Sequence, residues 1–271
     1  MNYISPGDGT DLCVFTVKPP VSEGYPPLIF VPGMSSVIET FSAVVKGLTQ
    51  NFDVHYIETR EKRSSELSEG AGFAVSDIAS DLSGVVEKLG MEDGNYILVA
   101  YSLGATASAE SFAGLLKNKP AVLYLIEPSA EFRIPSFGLF IAKYLYWTYS
   151  IIKPLIKLYL RLFVVDAVKD HEMYMISVRA VDSADSRKLS RTILAISSYK
   201  IWDVLGSVDV QTIVIGASDD TLHNLDDALR ISALIKDSVY IDLKTNDRSH
   251  SKEVSALIEE KLKESIRKTG R

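Results

Sequence analysis

Three residue types that together make a reactive hydroxyl occur in this chain in one order: Ser102, then Asp219 or Asp220, then His250. A serine hydroxyl is a poor nucleophile until a base takes its proton and a third group orients that base. Ser102 lies in Ala100-Tyr101-Ser102-Leu103-Gly104, after the apolar run Tyr96-Ile97-Leu98-Val99 and before a stretch rich in Ala and Ser from Ala105 to Ala113. A strand, a tight turn centred on Ser and a helix of small residues form the context of a nucleophile elbow. Such a turn sets the hydroxyl at the carboxyl end of a strand, where open α/β sheets hold ligands. It also sets it at a helix N-terminus, where the Leu103 N–H is free to meet a developing oxyanion. The implied chemistry is acyl transfer.

The acid is expected after a late buried strand, and Ile213-Val214-Ile215-Gly216-Ala217-Ser218-Asp219-Asp220 has that form. The base is expected in the loop between the last strand and the last helix. Asp247-Arg248-Ser249-His250-Ser251 is that loop, and His250 is its only histidine. Of the other histidines, His55 falls within a strand, His171 lies in the helical stretch after 130 as a surface residue or a substrate contact, and His223 could hydrogen-bond near the acid. Four scattered histidines without HExxH spacing, and a single cysteine, Cys13, predict no metal site and no intrachain disulfide. No cofactor is expected.

These residues need a scaffold. Strand patterns at 14–17, 28–31, 53–57, 96–100, 122–126, 212–215 and 239–243 alternate with amphipathic helices at 40–49, 73–89, 225–236 and 252–268. That alternation predicts an α/β fold with a doubly wound, mostly parallel sheet. It stops from about 130 to 205, where the pattern is helical throughout. Residues 1–129 and 206–271 are therefore expected to form the core, and 130–205 an inserted helical cap.

With these motifs in order the chain resembles the α/β-hydrolase fold superfamily. Val31-Pro32-Gly33-Met34 is similar to the family's His-Gly-x turn, which implies that the Met34 N–H is the second oxyanion donor beside Leu103. The stretch from Glu58 to Ser65 resembles the family's Asp-x-Arg-Gly-x-Gly-x-Ser loop, though its glycines are absent. Ala100 and Pro32 depart from the usual Gly and His. The resemblance favours Asp220 over Asp219 as the acid, because Leu222 and His223 follow it at the spacing of the family's turn. It implies a serine esterase with Ser102, Asp220 and His250 as its triad. Lipases, thioesterases, amidases, carbon–carbon bond hydrolases and perhydrolases share such a site, and fold does not decide among them. A non-catalytic binding protein of the same fold is the alternative of another class. Ser102 speaks against epoxide hydrolases and haloalkane dehalogenases, which use Asp as nucleophile.

Residues 137–165 carry tyrosines, Trp147 and only basic charges, in a chain of net charge −6. Lys153, Lys157 and Arg161 recur every four residues as one polar stripe, and Pro154 is expected to open the second of two helices. The plainer expectation is a helix pair packed on the core with a solvated basic stripe; the sharper one is an amphipathic lid making weak contact with a membrane or an apolar substrate. Either predicts a small ester substrate with an apolar group. The acidic balance argues against nucleic acid as a partner; the single cysteine makes a reducing, cytoplasmic compartment the expectation, and the first residues carry no signal-peptide pattern.

Overall fold

The computed structural model describes residues 2–7, 9–20, 24–164, 171–220 and 223–269. Leu222 and Val165 lie outside them. Eight strands form one sheet: β1 (Asn2–Ile4), β2 (Leu12–Val17), β3 (Leu28–Val31), β4 (Val54–Ile57), β5 (Ile97–Tyr101), β6 (Val122–Ile126), β7 (Gln211–Gly216) and β8 (Ser238–Asp242). Their spatial order is β1-β2-β4-β3-β5-β6-β7-β8. Only the pairings of β2, with β1 and β4, are antiparallel; the rest are parallel. This is the mostly parallel sheet expected, with β1 as an added edge that the sequence pattern does not signal.

The central strands are apolar on both faces because helices cover both. With period two, Leu98, Ala100, Leu123 and Leu125 pack to one side, against α2 (Val75–Lys88), α3 (Leu103–Ser111) and α8 (Leu225–Leu234). Val99, Tyr101, Tyr124 and Ile126 pack to the other, against α1 (Ser42–Leu48) and α10 (Lys252–Thr269). A 3-10 turn, Ile38–Phe41, replaces the start of the helix expected at 40–49.

Between β6 and β7 run α4 (Ser136–Tyr144), a 3-10 turn at Tyr146–Thr148, α5 (Tyr149–Tyr159), α6 (His171–Ser183) and α7 (Ser186–Ile196). The chain breaks at Leu145, not at Pro154, which sits inside α5. The basic stripe also differs from expectation. Lys153 and Lys157 turn toward Asp182 of α6, leaving the apolar side of α5 outermost. The inserted helices are pinned to the core by α7, where Lys188 Nζ donates to the carbonyls of Lys62 and Ser65 and Arg191 donates to that of Ala71. Among the described residues no helix is long and apolar enough to cross a membrane.

Candidate active site

Ser102 ends β5 and precedes α3 with φ 47° and ψ −117°, a left-handed backbone that a non-glycine residue adopts at a cost of about 1–3 kcal/mol. The surroundings enforce it. The Ser102 N–H donates to the Ile126 carbonyl at 2.9 Å, while its own carbonyl accepts from Thr106 N–H at 3.0 Å. α3 then passes so close to β3 that a Cβ on Gly104 would lie 2.4 Å from the Pro32 oxygen. Gly104 is thus required by the approach of two backbones, which is the physical reason for glycine two residues after the serine.

Ser102 Oγ lies 3.0 Å from His223 Nε2, and His223 Nδ1 lies 2.7 Å from Asp220 Oδ2. Acid and base thus come from one loop, the turn between β7 and α8. This differs from the expectation for His250. The ring of His250 caps α9 (Asn246–Ser249), and its Nδ1 is engaged by the Asn246 carbonyl and Ser249 Oγ, both at 3.1 Å. Its ring stacks on Phe41 at 5.4 Å and tilts against Tyr101 at 5.5 Å. The physical reason is local: the turn of α9 supplies partners for Nδ1 and Phe41 and Tyr101 supply a seat for the ring. Ser102 and Asp220 are therefore brought together through His223. The neighbouring Asp219 instead donates its backbone N–H to the Lys244 carbonyl.

A third carboxylate was not anticipated from sequence. Glu127 directly follows β6 with φ 49° and is 2% exposed. Its side chain accepts from Asn246 Nδ2 at 3.1 Å and from Ser249 Oγ, and lies 3.8 Å from His223 Nδ1. Burial pushes its carboxyl above the usual glutamate range, against the pull of His250, the Ser249 hydroxyl and His223. The available signal was an acidic residue directly after an all-apolar strand. Glu127, Asp220 and His223 also bring one ligand atom each within 4.8 Å of one another, the metal-like grouping found among the described residues. Of this group, His223 lies within hydrogen-bond distance of both Asp220 and Ser102.

The turn after β3 abuts the same point. A Cβ on Gly33 would meet the Ser102 Cβ at 3.2 Å, so this turn passes directly against the serine. The buried Lys62 holds this turn by donating to the Gly33 carbonyl at 2.8 Å while pairing with Glu61 at 3.0 Å. The loop that resembles the family's arginine loop thus acts here through a lysine. Its Arg60 forms a two-pronged pair with Asp81, both bonds 2.7 Å. Leu103 is the first residue of α3, so its N–H has no acceptor within the helix.

Above the elbow, Ile196 of α7 packs with Leu103, Ala107 and Met34. Three residues earlier, about 4.5 Å along a helix axis, Ile193 lines an apolar cavity of about 240 Å³ between α4, α5 and α7. Ile141, Leu145, Ile152, Ile156 and Leu189 complete most of its wall.

No protein-family model and no curated protein sequence matches this chain. Its fold does match solved structures. The enol-lactonase from Burkholderia xenovorans LB400 superposes with a TM-score of 0.76 at 15% identity, covering 97% of this chain and 98% of that one. An esterase from Exiguobacterium antarcticum gives 0.75 at 15%, covering 96% and 98%. A bromoperoxidase from Bacillus anthracis gives 0.76 at 14%, covering 94% and 96%. With the strand order, the elbow at Ser102 and the helices inserted after β6, these likenesses lead to one conclusion: the chain has the α/β-hydrolase fold.

Proposed function

We propose that this protein is a serine hydrolase that cleaves carboxylic esters bearing an apolar acyl or alkyl group, with Ser102 as nucleophile, His223 as base and Asp220 as the residue that orients it. The observation that carries this reading is the continuous chain of contacts from Ser102 Oγ through His223 to Asp220, at 3.0 and 2.7 Å. That an esterase and a lactonase are among the fold's neighbours agrees with a hydrolytic site without selecting the substrate.

In the proposed reaction His223 Nε2 takes the Ser102 proton as Oγ attacks the ester carbonyl. Asp220 accepts the hydrogen bond from Nδ1–H, fixes the tautomer and stabilises the imidazolium. The N–H groups of Leu103 and Met34 receive the oxyanion. The C–O bond then breaks, the Nε2 proton goes to the leaving alcohol, and an acyl-enzyme remains. Water, deprotonated by the same nitrogen, attacks the acyl carbon; the proton returns to Ser102 and the acid leaves. Glu127 places a second carboxyl group 3.8 Å from Nδ1. The apolar cavity next to α7 supports an apolar group on the substrate.

A series of p-nitrophenyl esters from short to long acyl chains tests the reading. Wild type should turn over esters with a preference set by chain length, and Ser102→Ala should fall to background. Equal rates in the two proteins contradict it, and activity confined to thioesters or amides moves the substrate class.

A further inference from the structure

The outer face of α4 and α5 is inverted relative to a solvated helix pair. α5 buries no residue fully. Ile151, Leu155, Leu158 and Tyr159 point outward, with Ile151 70% and Leu155 66% exposed. Its two lysines do the opposite. Lys153 Nζ donates to the Asp182 carbonyl at 3.1 Å, and Lys157 pairs with the Asp182 carboxylate at 2.7 Å. α4 and the turn after it continue the pattern with Phe137, Phe140, Tyr144 and Trp147, the last 63% exposed. Apart from the adjacent Leu158 and Tyr159, successive residues of this set are three or four apart, so each helix shows water one apolar stripe. An exposed patch of this extent marks a surface that meets something apolar.

Charge identifies the occupant. Residues 136–164 contain no acidic residue, in a chain of net charge −6, and with Lys153 and Lys157 engaged by Asp182 the basic groups left to the outer face are Lys143 and Arg161. Lys143 and Arg161 are exposed at the C-terminal ends of the two segments, flanking the apolar stripe. Aromatic rings beside long basic side chains suit the boundary between lipid headgroups and acyl chains. We propose that this face docks in the plane of an anionic lipid bilayer, its apolar stripe immersed at headgroup depth. The same helices line the apolar cavity on their inner side, so a docked protein would draw substrate from the lipid phase. The docking itself does not depend on the hydrolase reading.

Sedimentation with vesicles tests it, using phosphatidylcholine alone and phosphatidylcholine containing phosphatidylglycerol, with Trp fluorescence as a second readout. The full chain should bind the anionic vesicles roughly tenfold or more tightly than the neutral ones, less so at high salt, with a blue shift that Trp147→Phe removes. Ile151→Glu and Leu155→Glu should abolish binding while leaving the thermal midpoint near that of wild type, since both sites face solvent. Ser102→Ala should bind as wild type, which separates this proposal from the reaction. Failure to bind anionic vesicles overturns it. So does equal binding to both lipids, or a solution dimer that Ile151→Glu dissociates, which would make a second copy the occupant.

Discussion

Ser102 and Glu127 directly follow neighbouring parallel strands, β5 and β6, and both have a positive φ, 47° and 49°. The Ser102 N–H is bonded to Ile126 and the Glu127 N–H to Ile215, so each turn is held by the next strand of the sheet. Adjacent strained turns at strand ends aim two polar side chains at one point, and the sheet supplies the energy that keeps them there.

Glu127 should give stability a sign-specific pH dependence. Burial raises its carboxyl above the ordinary range in the folded state, so the folded chain holds that proton more tightly than the unfolded one. Stability then falls as pH rises from the ordinary glutamate value to the raised one. Urea titrations of wild type and Glu127→Gln across that window should show a shallower fall in the variant. Identical slopes would mean that the carboxylate is already ionised without cost.

Gly104→Ala should unsettle the elbow. The added Cβ would meet the Pro32 oxygen at 2.4 Å and the Val31 oxygen at 2.7 Å, backbone atoms that cannot step aside. A loss of about 1–3 kcal/mol of stability is expected, together with a fall in kcat, measured by denaturant titration and ester turnover. An unperturbed, fully active variant would contradict the tight β3–α3 approach.

The Arg60–Asp81 pair ties the loop after β4 to α2 with side chains 1% and 5% exposed. Removing one partner leaves a buried charge, so Asp81→Asn should cost about 3–5 kcal/mol. Asp81→Leu combined with Arg60→Met should recover much of it, by the same reasoning. Additive losses in the double variant, read by thermal or chemical denaturation, would show that the pair does not act as a unit.

Lys188 ties the inserted helices to the loop before α2, and burial lowers its ammonium group below the usual lysine range. In Lys188→Ala, amide hydrogen exchange should rise in α7 and in the loop around Lys62 and Ser65, with β5 unchanged. Uniform exchange in both proteins would locate the anchor elsewhere, at Arg191 and Ala71.

The sheet was legible in the sequence because apolar strands bounded by turns repeat at regular spacing. Ser102 was legible because strand, turn and small-residue helix leave one position for it. The His250 expectation came from topology, which specifies a loop but not the path within it. Asn246 to Ser249 coil into a helical turn, and Phe41 and Tyr101 offer the ring a seat. His223 was visible only as a histidine three residues after Asp220, a spacing whose meaning depends on how a turn folds. Which stripe of α5 faces outward is open at the level of sequence for a related reason. Periodicity finds an apolar stripe and a basic stripe on a helix, and only the position of Asp182 decides which one faces water.

The most direct test of the account compares His223→Ala with His250→Ala in single-turnover ester cleavage, with folding checked by circular dichroism. His223→Ala should lose about 10³-fold or more in kcat, as expected for removing the base of a serine nucleophile. His250→Ala should retain kcat to within about tenfold, since its ring supports the elbow through packing. The reverse result, with His250→Ala inactive and His223→Ala active, would contradict the relay from Ser102 through His223 to Asp220.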